Sequence, residues 1–235
     1  RGTPMTPSDS QPALINKNLP SEVSLAQLAD NILKRLTDHN RLVIAISGPP
    51  GSGKSTATDA LEAMLAQNKE IKVQAVPMDG FHYDNAILQQ LGLTQRKGAP
   101  DTFDVGGLDA VLNRLTTKKR TQSVAVPVFD RKRDLSLASA RLIDNKTNVV
   151  LIEGNYLLLK DGPWSQLKKY FDLCVNIPCD EETLRLRLVE RWKNLNYDDP
   201  TANLKVELND MPNAKLIIRE SGFADIILKW NKSNS

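Results

Sequence analysis

Apolar residues along this chain fall into two patterns, short unbroken runs and residues spaced at helical intervals. The runs Leu42-Val43-Ile44-Ala45-Ile46, Val149-Val150-Leu151-Ile152 and Asp172-Leu173-Cys174-Val175-Asn176-Ile177 read as strands buried on both faces. Lys72 to Met78, Ser123 to Phe129 and Ala224 to Lys229 read as further strands. Leu25, Leu28, Ile32, Leu33 and Leu36 recur at helical spacing after Ser24, with Pro20-Ser21-Glu22 as the start signal. Helices are also expected over Ala57 to Ala66, with Leu61, Met64 and Leu65 facing inward, and over Leu108 to Leu115, Glu181 to Lys193 and Leu204 to Leu208. Buried strands alternating with helices imply a three-layer α/β fold around a mostly parallel central sheet.

The pattern breaks between Asp79 and Asp104, which hold only a short helical piece near Ala86 to Leu91. Irregular stretches of this length are uncommon in compact folds and are usually functional.

Directly after the first buried run stands Gly48-Pro49-Pro50-Gly51-Ser52-Gly53-Lys54-Ser55-Thr56, a complete G-x-x-x-x-G-K-[ST] motif between a strand and a helical pattern. Glycines let the backbone curl so that its N–H groups point at polyphosphate oxygens, and the following helix offers its positive end. Lys54 is placed to reach the β- and γ-phosphates, and the Ser55 hydroxyl to ligate Mg²⁺. The motif predicts a nucleoside triphosphate ligand and the P-loop NTPase variety of three-layer fold.

Composition narrows the partners. The 235 residues carry 31 basic and 28 acidic side chains, a formal charge of +3, too small to argue for a nucleic-acid or membrane surface. No apolar run approaches membrane-spanning length, and no secretory signal is visible. Cys174 and Cys179 lack metal-ligand spacing and read as thiols of a reducing cytosol, so the expected location is cytoplasmic. Residues 1–18 show no periodicity and are expected to form a flexible arm, partly an expression scar, since Met5 rather than residue 1 is a methionine. Residues 19–235 are expected to form a single domain. The oligomeric state is left open, a homodimer included.

In parallel sheets, sites gather at the carboxyl ends of the strands. The second strand runs straight into Asp79-Gly80-Phe81-His82. A carboxylate there can take a proton from an attacking hydroxyl, with Gly80 leaving room for substrate, or it can simply cap the next turn; position alone leaves both readings open. Glu153 follows four apolar residues, the Walker B arrangement in which a carboxylate holds Mg²⁺ directly or through water. Arg185, Arg187 and Arg191 lie on the helix after Ile177, with Arg187 and Arg191 on one face. Such arginines can neutralise a transferring phosphoryl group, although spacing alone favours a solvated basic face.

Taken together, the phosphate loop, Met78-Asp79-Gly80-Phe81-His82, the segment Arg96-Lys97-Gly98-Ala99-Pro100-Asp101-Thr102-Phe103-Asp104, Pro127-Val128-Phe129-Asp130-Arg131 and Ile152-Glu153-Gly154-Asn155-Tyr156-Leu157-Leu158 occur in an order that resembles the phosphoribulokinase, uridine kinase and pantothenate kinase family. The likeness spans roughly Leu42 to Asp225 and looks nearest to the bacterial fructose-transport-associated, fructokinase-like branch. It implies a P-loop kinase domain with a lid segment near 185–200, a base at Asp79, a Mg²⁺-associated acid at Glu153 and a catalytic lid arginine at Arg187 or Arg191. ATP and Mg²⁺ are the implied cofactors, and a small hydroxyl-bearing metabolite the implied partner. The acceptor is then expected to meet Asp79, His82, Arg96, Lys97 and Asp104, together with Asp130, Arg131, Asn155 and Tyr156. Phe129-Asp130-Arg131 stands where pantothenate kinases carry a Tyr-Ser-His type sequence, and Trp192 follows Arg191 where near relatives tend to carry His.

Other NTPase classes fit less well. A GTPase calls for Asn-Lys-x-Asp, and the nearest strings, Asn145-Lys146-Thr147-Asn148 and Asn231-Lys232-Ser233-Asn234, lack the Asp. No Ser-Gly-Gly-rich transporter signature precedes Glu153, and the presence of Lys54, Ser55, Asp79 and Glu153 disfavours a catalytically dead binding module.

Overall fold

The computed structural model describes residues 20–37, 40–119 and 121–230. The expected arm at 1–18 and the string at 231–234 lie outside them. Eight strands are present among the described residues: β1 (Ser21–Val23), β2 (Leu42–Ser47), β3 (Val73–Pro77), β4 (Val124–Asp130), β5 (Leu135–Ile143), β6 (Val149–Gly154), β7 (Leu173–Asn176) and β8 (Ile226–Leu228). Six of them form a central sheet in the order β1-β8-β7-β2-β6-β3, and every pairing in it is parallel.

Alternation along each strand divides the interior into two layers. Val43, Ala45, Val76, Val150, Ile152 and Cys174 face one core, which also holds Leu108, Leu112 and Trp164. Leu42, Ile44, Ile46, Val149, Leu151, Leu173 and Val175 face the other, covered by α1 (Leu25–Leu36) and α2 (Lys54–Leu65). Burial on both faces explains the unbroken apolar runs, and it fixes the register that carries Ser47 and Gly154 side by side. A smaller core lies under the phosphate loop, where Leu184 and Leu188 of α5 (Glu181–Lys193) meet Val206 and Met211.

Several elements depart from the sequence expectation. Pro20-Ser21-Glu22 does not start α1; Ser21 and Glu22 belong to β1 and pair with Ile226 and Ile227. The start signal is the capping box of Ser24 and Gln27, each side chain bonding the other's backbone N–H. Helix α2 begins at Lys54 rather than Ala57, because Gly53 in a left-handed conformation already turns the chain into the helix. The long stretch after β3 is short turns of 3₁₀ helix around α3 (Asn85–Gln90), ending at α4 (Val105–Thr116). Strand β4 is not part of the central sheet; it forms an antiparallel hairpin with β5, an element the residue pattern did not reveal. Beyond α6 (Asp199–Lys205), the expected helix at Leu204 to Leu208 falls largely on a π turn, Val206–Asp210, which runs into the unforeseen α7 (Met211–Glu220). No helix among the described residues is long and apolar enough to cross a membrane.

Candidate active site

The phosphate loop occupies the crossing from β2 to α2, at the middle of the sheet. Gly51 and Gly53 have φ of +83° and +91°, conformations that a side chain rarely adopts. Leu184 and Leu188 of α5 support Gly51 from below, and the Trp230 ring lies against Gly53. Ser52 donates its N–H to the Pro49 carbonyl at 3.1 Å, closing the curl.

Lys54 sits inside this cradle, nine-tenths buried, and its ammonium donates to the Pro49 carbonyl at 3.2 Å. Burial lowers its pKa to about 8 against the opposing pull of Glu153 and then Asp79, while Arg191 and Arg131 push in the same direction as burial. Charges from four separate elements therefore converge on one lysine.

Glu153 closes β6, with its carboxylate almost wholly buried. Oε1 accepts from the Ser55 hydroxyl at 3.0 Å, whereas Oε2 is buried with no hydrogen-bond partner among the described residues. Desolvation raises the Glu153 pKa, offset by Lys54 and by the Ser55 hydrogen bond. A carboxylate oxygen stripped of water and left without a donor is costly unless a cation or proton meets it. Ser55 and Glu153 thus have the oxygen chemistry that suits Mg²⁺.

Asp79 lies on the 3₁₀ turn Met78–Phe81 at the carboxyl end of β3. Its Oδ2 accepts from Arg131 Nη2 at 2.9 Å, and Oδ1 makes no hydrogen bond among the described residues. The carboxylate caps no helix. Gly80 does not leave room for substrate as expected; a Cβ there would sit 2.5 Å from the Pro127 carbonyl oxygen, so its lack of a side chain lets β4 pack against the turn. His82 follows, its ring between Phe103 at 4.1 Å and Phe129 at 4.7 Å. Nδ1 bonds the Asp79 carbonyl at 2.8 Å; a carbonyl only accepts, so Nδ1 carries the proton. Burial lowers the His82 pKa and favours the neutral ring, whose acceptor is then Nε2.

The other expected acceptor residues have distinct settings. Lys97 donates to Asn85 Oδ1 at 2.8 Å, to the Asp134 carbonyl at 2.7 Å and to Asp134 Oδ2 at 2.9 Å, tying the long loop to the hairpin turn. Asp130 holds that turn through the Lys132 and Arg133 N–H groups at 3.0 and 3.1 Å. Asp104 caps α4 by accepting from Gly107 N–H at 2.8 Å. Tyr156 is fully buried against Phe103 and Trp164, and its hydroxyl donates to the Gly98 carbonyl at 2.5 Å; burial pushes its pKa far up. Asn155 accepts from the Ser47 hydroxyl through its backbone carbonyl at 3.3 Å. Arg96 is exposed on the 3₁₀ turn Thr94–Arg96. Among these residues, Asp79, His82 and Arg131 cluster directly, and Lys97 and Asp130 brace the loop and hairpin that carry them.

The two arginines expected to belong to a lid, both on α5, diverge. Arg187 Nη1 donates to the Gly51 carbonyl at 3.1 Å and lies 3.8 Å from Cys179 Sγ. Arg191 Nη2 pairs with Asp210 Oδ1 at 3.5 Å, and the other oxygen of that buried carboxylate accepts from Trp192 Nε1 at 2.6 Å. Arg185 turns away to Glu207. Sequence reasoning missed Asp210 and Trp230; neither belongs to a motif, and both reach the site only through the packing of α5, the π turn and β8.

Comparison with known proteins gives a consistent picture. A profile of the Phosphoribulokinase / Uridine kinase family matches residues 43–210. The Escherichia coli (strain K12) protein YggC is 32% identical over 201 residues, which is 85% of this chain and 82% of that protein. A pantothenate kinase of Bradyrhizobium sp. is 28% identical over 203 residues, 82% of this chain but 61% of the relative's own length. A solved structure from Silicibacter sp. TM1040, provisionally assigned as a fructose transport system kinase, matches with a TM-score of 0.82 at 37% identity, covering 89% of this chain and 100% of its own.

Proposed function

Because the chain belongs to the phosphoribulokinase/uridine kinase family, whose members are phosphotransferases with alcohol acceptors, we propose that it transfers the γ-phosphoryl group of ATP to a hydroxyl of a small polar metabolite, such as a sugar or sugar acid. The observation that carries this reading is a buried Lys54 inside the phosphate loop together with a buried Glu153 whose Oε1 accepts from the Ser55 hydroxyl at 3.0 Å and whose Oε2 has no partner among the described residues. A cation cradle, a metal-type carboxylate and a second carboxylate at the γ-phosphate end are the parts that phosphoryl transfer needs.

In this account the loop N–H groups and Lys54 bind the polyphosphate, and Ser55 and Glu153 would hold Mg²⁺. The ion supplies charge neutralisation on the phosphate oxygens when bound. Asp79 Oδ1 takes the acceptor's hydroxyl proton as the oxygen attacks the γ-phosphorus and the bond to the β–γ bridging oxygen breaks, releasing ADP, while Arg131 fixes the carboxylate through Oδ2. Arg191 acts on the developing charge of the phosphoryl group, and Arg187 braces the loop through Gly51. His82 Nε2 and the Arg131 guanidinium offer an acceptor and donors to a ligand with hydroxyls or a carboxylate.

The test is an ADP-release assay of the purified protein with ATP and Mg²⁺ against sugars, glycerate, pantothenate and nucleosides. Acceptor-dependent ADP formation with at least one polyhydroxy compound or hydroxy acid is expected. Hydrolysis that no alcohol accelerates would count against a kinase of this substrate class.

A further inference from the structure

Asp210 ends the π turn Val206–Asp210, between α6 and α7, and is buried although it belongs to no motif. Burial raises its pKa, opposed by Arg191 and then by the hydrogen bond from Trp192. A carboxylate stripped of water needs partners, and here two consecutive residues of α5 supply them. Oδ2 accepts from Trp192 Nε1 at 2.6 Å, a short bond that fixes the carboxylate plane. Oδ1 faces Arg191 Nη2 at 3.5 Å, longer than an ordinary hydrogen bond, so the pair orients the guanidinium without using up its five N–H donors. The Trp192 ring, centred 5.6 Å from Arg191 Cζ, lies against the same guanidinium.

The turn is also anchored away from α5. Asn209 Nδ2 donates to the Lys97 carbonyl at 2.9 Å, and Asn209 Oδ1 accepts from Asn213 Nδ2 at 3.4 Å. Asp210 is thereby fixed against the long loop of Lys97 as well as against the helix that carries the arginine. π turns inside helices are frequent at functional sites. Arg191, while paired with Asp210, remains close enough to Lys54 to push that lysine's pKa down, so the held guanidinium still bears on the phosphate cradle. Resting on the kinase reading above, we propose that Asp210 is a positioning residue, its carboxylate setting the Arg191 guanidinium toward the transferring phosphoryl group. A misdirected charge of this kind costs rate while leaving nucleotide binding in place.

A kinetic double-mutant cycle tests the assignment. Steady-state rates with ATP varied are measured on the wild type, Asp210→Asn, Arg191→Ala and the double variant, using whichever compound of the acceptor panel above gives the fastest ADP release. Asp210→Asn should lower kcat about three- to tenfold and move KM for ATP by no more than about twofold. In the Arg191→Ala background the same substitution should lower kcat no further, the coupling expected of a residue that acts through Arg191. A loss of kcat that persists without Arg191 would overturn the assignment, as would an unchanged kcat in the folded variant, which leaves Asp210 a structural carboxylate. Should Asp210→Asn fail to fold, Trp192→Phe decides, since it keeps a ring against Arg191 and removes only the N–H that fixes Asp210. Its kcat should fall about two- to threefold with Arg191 present and not at all without it; no loss, or the same loss in both backgrounds, would overturn the assignment. If the wild type binds ATP but no alcohol accelerates ADP release, the kinase reading fails and the positioning role fails with it, an outcome separate from a kinase whose kcat ignores Asp210.

Discussion

Lys54, Ser55 and Glu153 stand on a helix start and a strand end in the middle of the sheet, whereas Asp79, His82, Lys97, Asp130 and Arg131 stand on a 3₁₀ turn, a long loop and a hairpin. On the first side the backbone is fixed by strands buried on both faces, and the Lys54 and Glu153 side chains are almost wholly enclosed. On the second, Arg131 is two-thirds exposed and held by a single ion pair. A rigid scaffold suits a ligand part shared by many enzymes, the triphosphate, and adaptable loops suit the part that differs among them. Substitutions should therefore act differently on the two sides, in kind as well as in size.

The largest loss in this series is expected at Lys54. In Lys54→Ala the cradle loses its one internal cation, and kcat/KM for ATP should fall at least on the order of 10²–10³-fold. Far-ultraviolet dichroism should stay native, since Lys54 makes its one hydrogen bond to the loop itself. Near wild-type turnover would dissolve the contrast between the two sides.

Glu153→Gln comes next. The amide keeps the shape of a group that is buried beside Ser55 but removes its charge. The Mg²⁺ concentration giving half-maximal rate should rise about 10- to 100-fold, in the range seen when carboxylates that serve a metal are replaced. An unchanged Mg²⁺ dependence would make Glu153 structural.

Arg187 and Arg191 sharpen the comparison from within one helix. Arg187 bonds the Gly51 carbonyl, so Arg187→Ala should chiefly raise KM for ATP. Arg191 acts on Lys54's surroundings, pairs with Asp210 and lies over the Trp192 ring without touching the loop backbone, so Arg191→Ala should chiefly lower kcat, each effect being about tenfold. Steady-state kinetics with ATP varied separates the two.

The smallest effect is expected at Tyr156, whose buried hydroxyl bonds Gly98 rather than facing the acceptor. Tyr156→Phe should lower unfolding free energy by about 1–2 kcal/mol in a urea titration. KM for the acceptor should move by no more than about twofold, because no ground-state contact is lost. A larger change in KM would return Tyr156 to the acceptor site.

The same contrast governs what the residues revealed beforehand. The parallel sheet was legible because β2, β6 and β7 are apolar on both faces. Strand β5 was not, because Leu135 to Arg141 is mostly exposed and pairs with β4 alone, leaving no apolar alternation to read. Helix α7 carries Met211, Ala214 and Ile217 at helical spacing, but Pro212 and the preceding π turn disguise its start. Phosphate-loop chemistry is local in sequence, so the motif contained it. The pairing of Asp79 with Arg131 joins residues 52 apart, and the capping role of Asp104 depends on where α4 begins. Trp230 carries no signal in the residues around it; only folding brings it to Gly53.

The account turns on Asp79, the carboxylate at the boundary of the two sides. Its direct test is acceptor-dependent turnover of Asp79→Asn, with ATP affinity measured on the same sample. The asparagine keeps size and one oxygen but cannot take the proton, so kcat should fall on the order of 10²–10⁴-fold while ATP affinity stays close to wild type. Wild-type turnover in the folded variant would contradict the base assignment, and a parallel loss of ATP binding would move Asp79 to the nucleotide side.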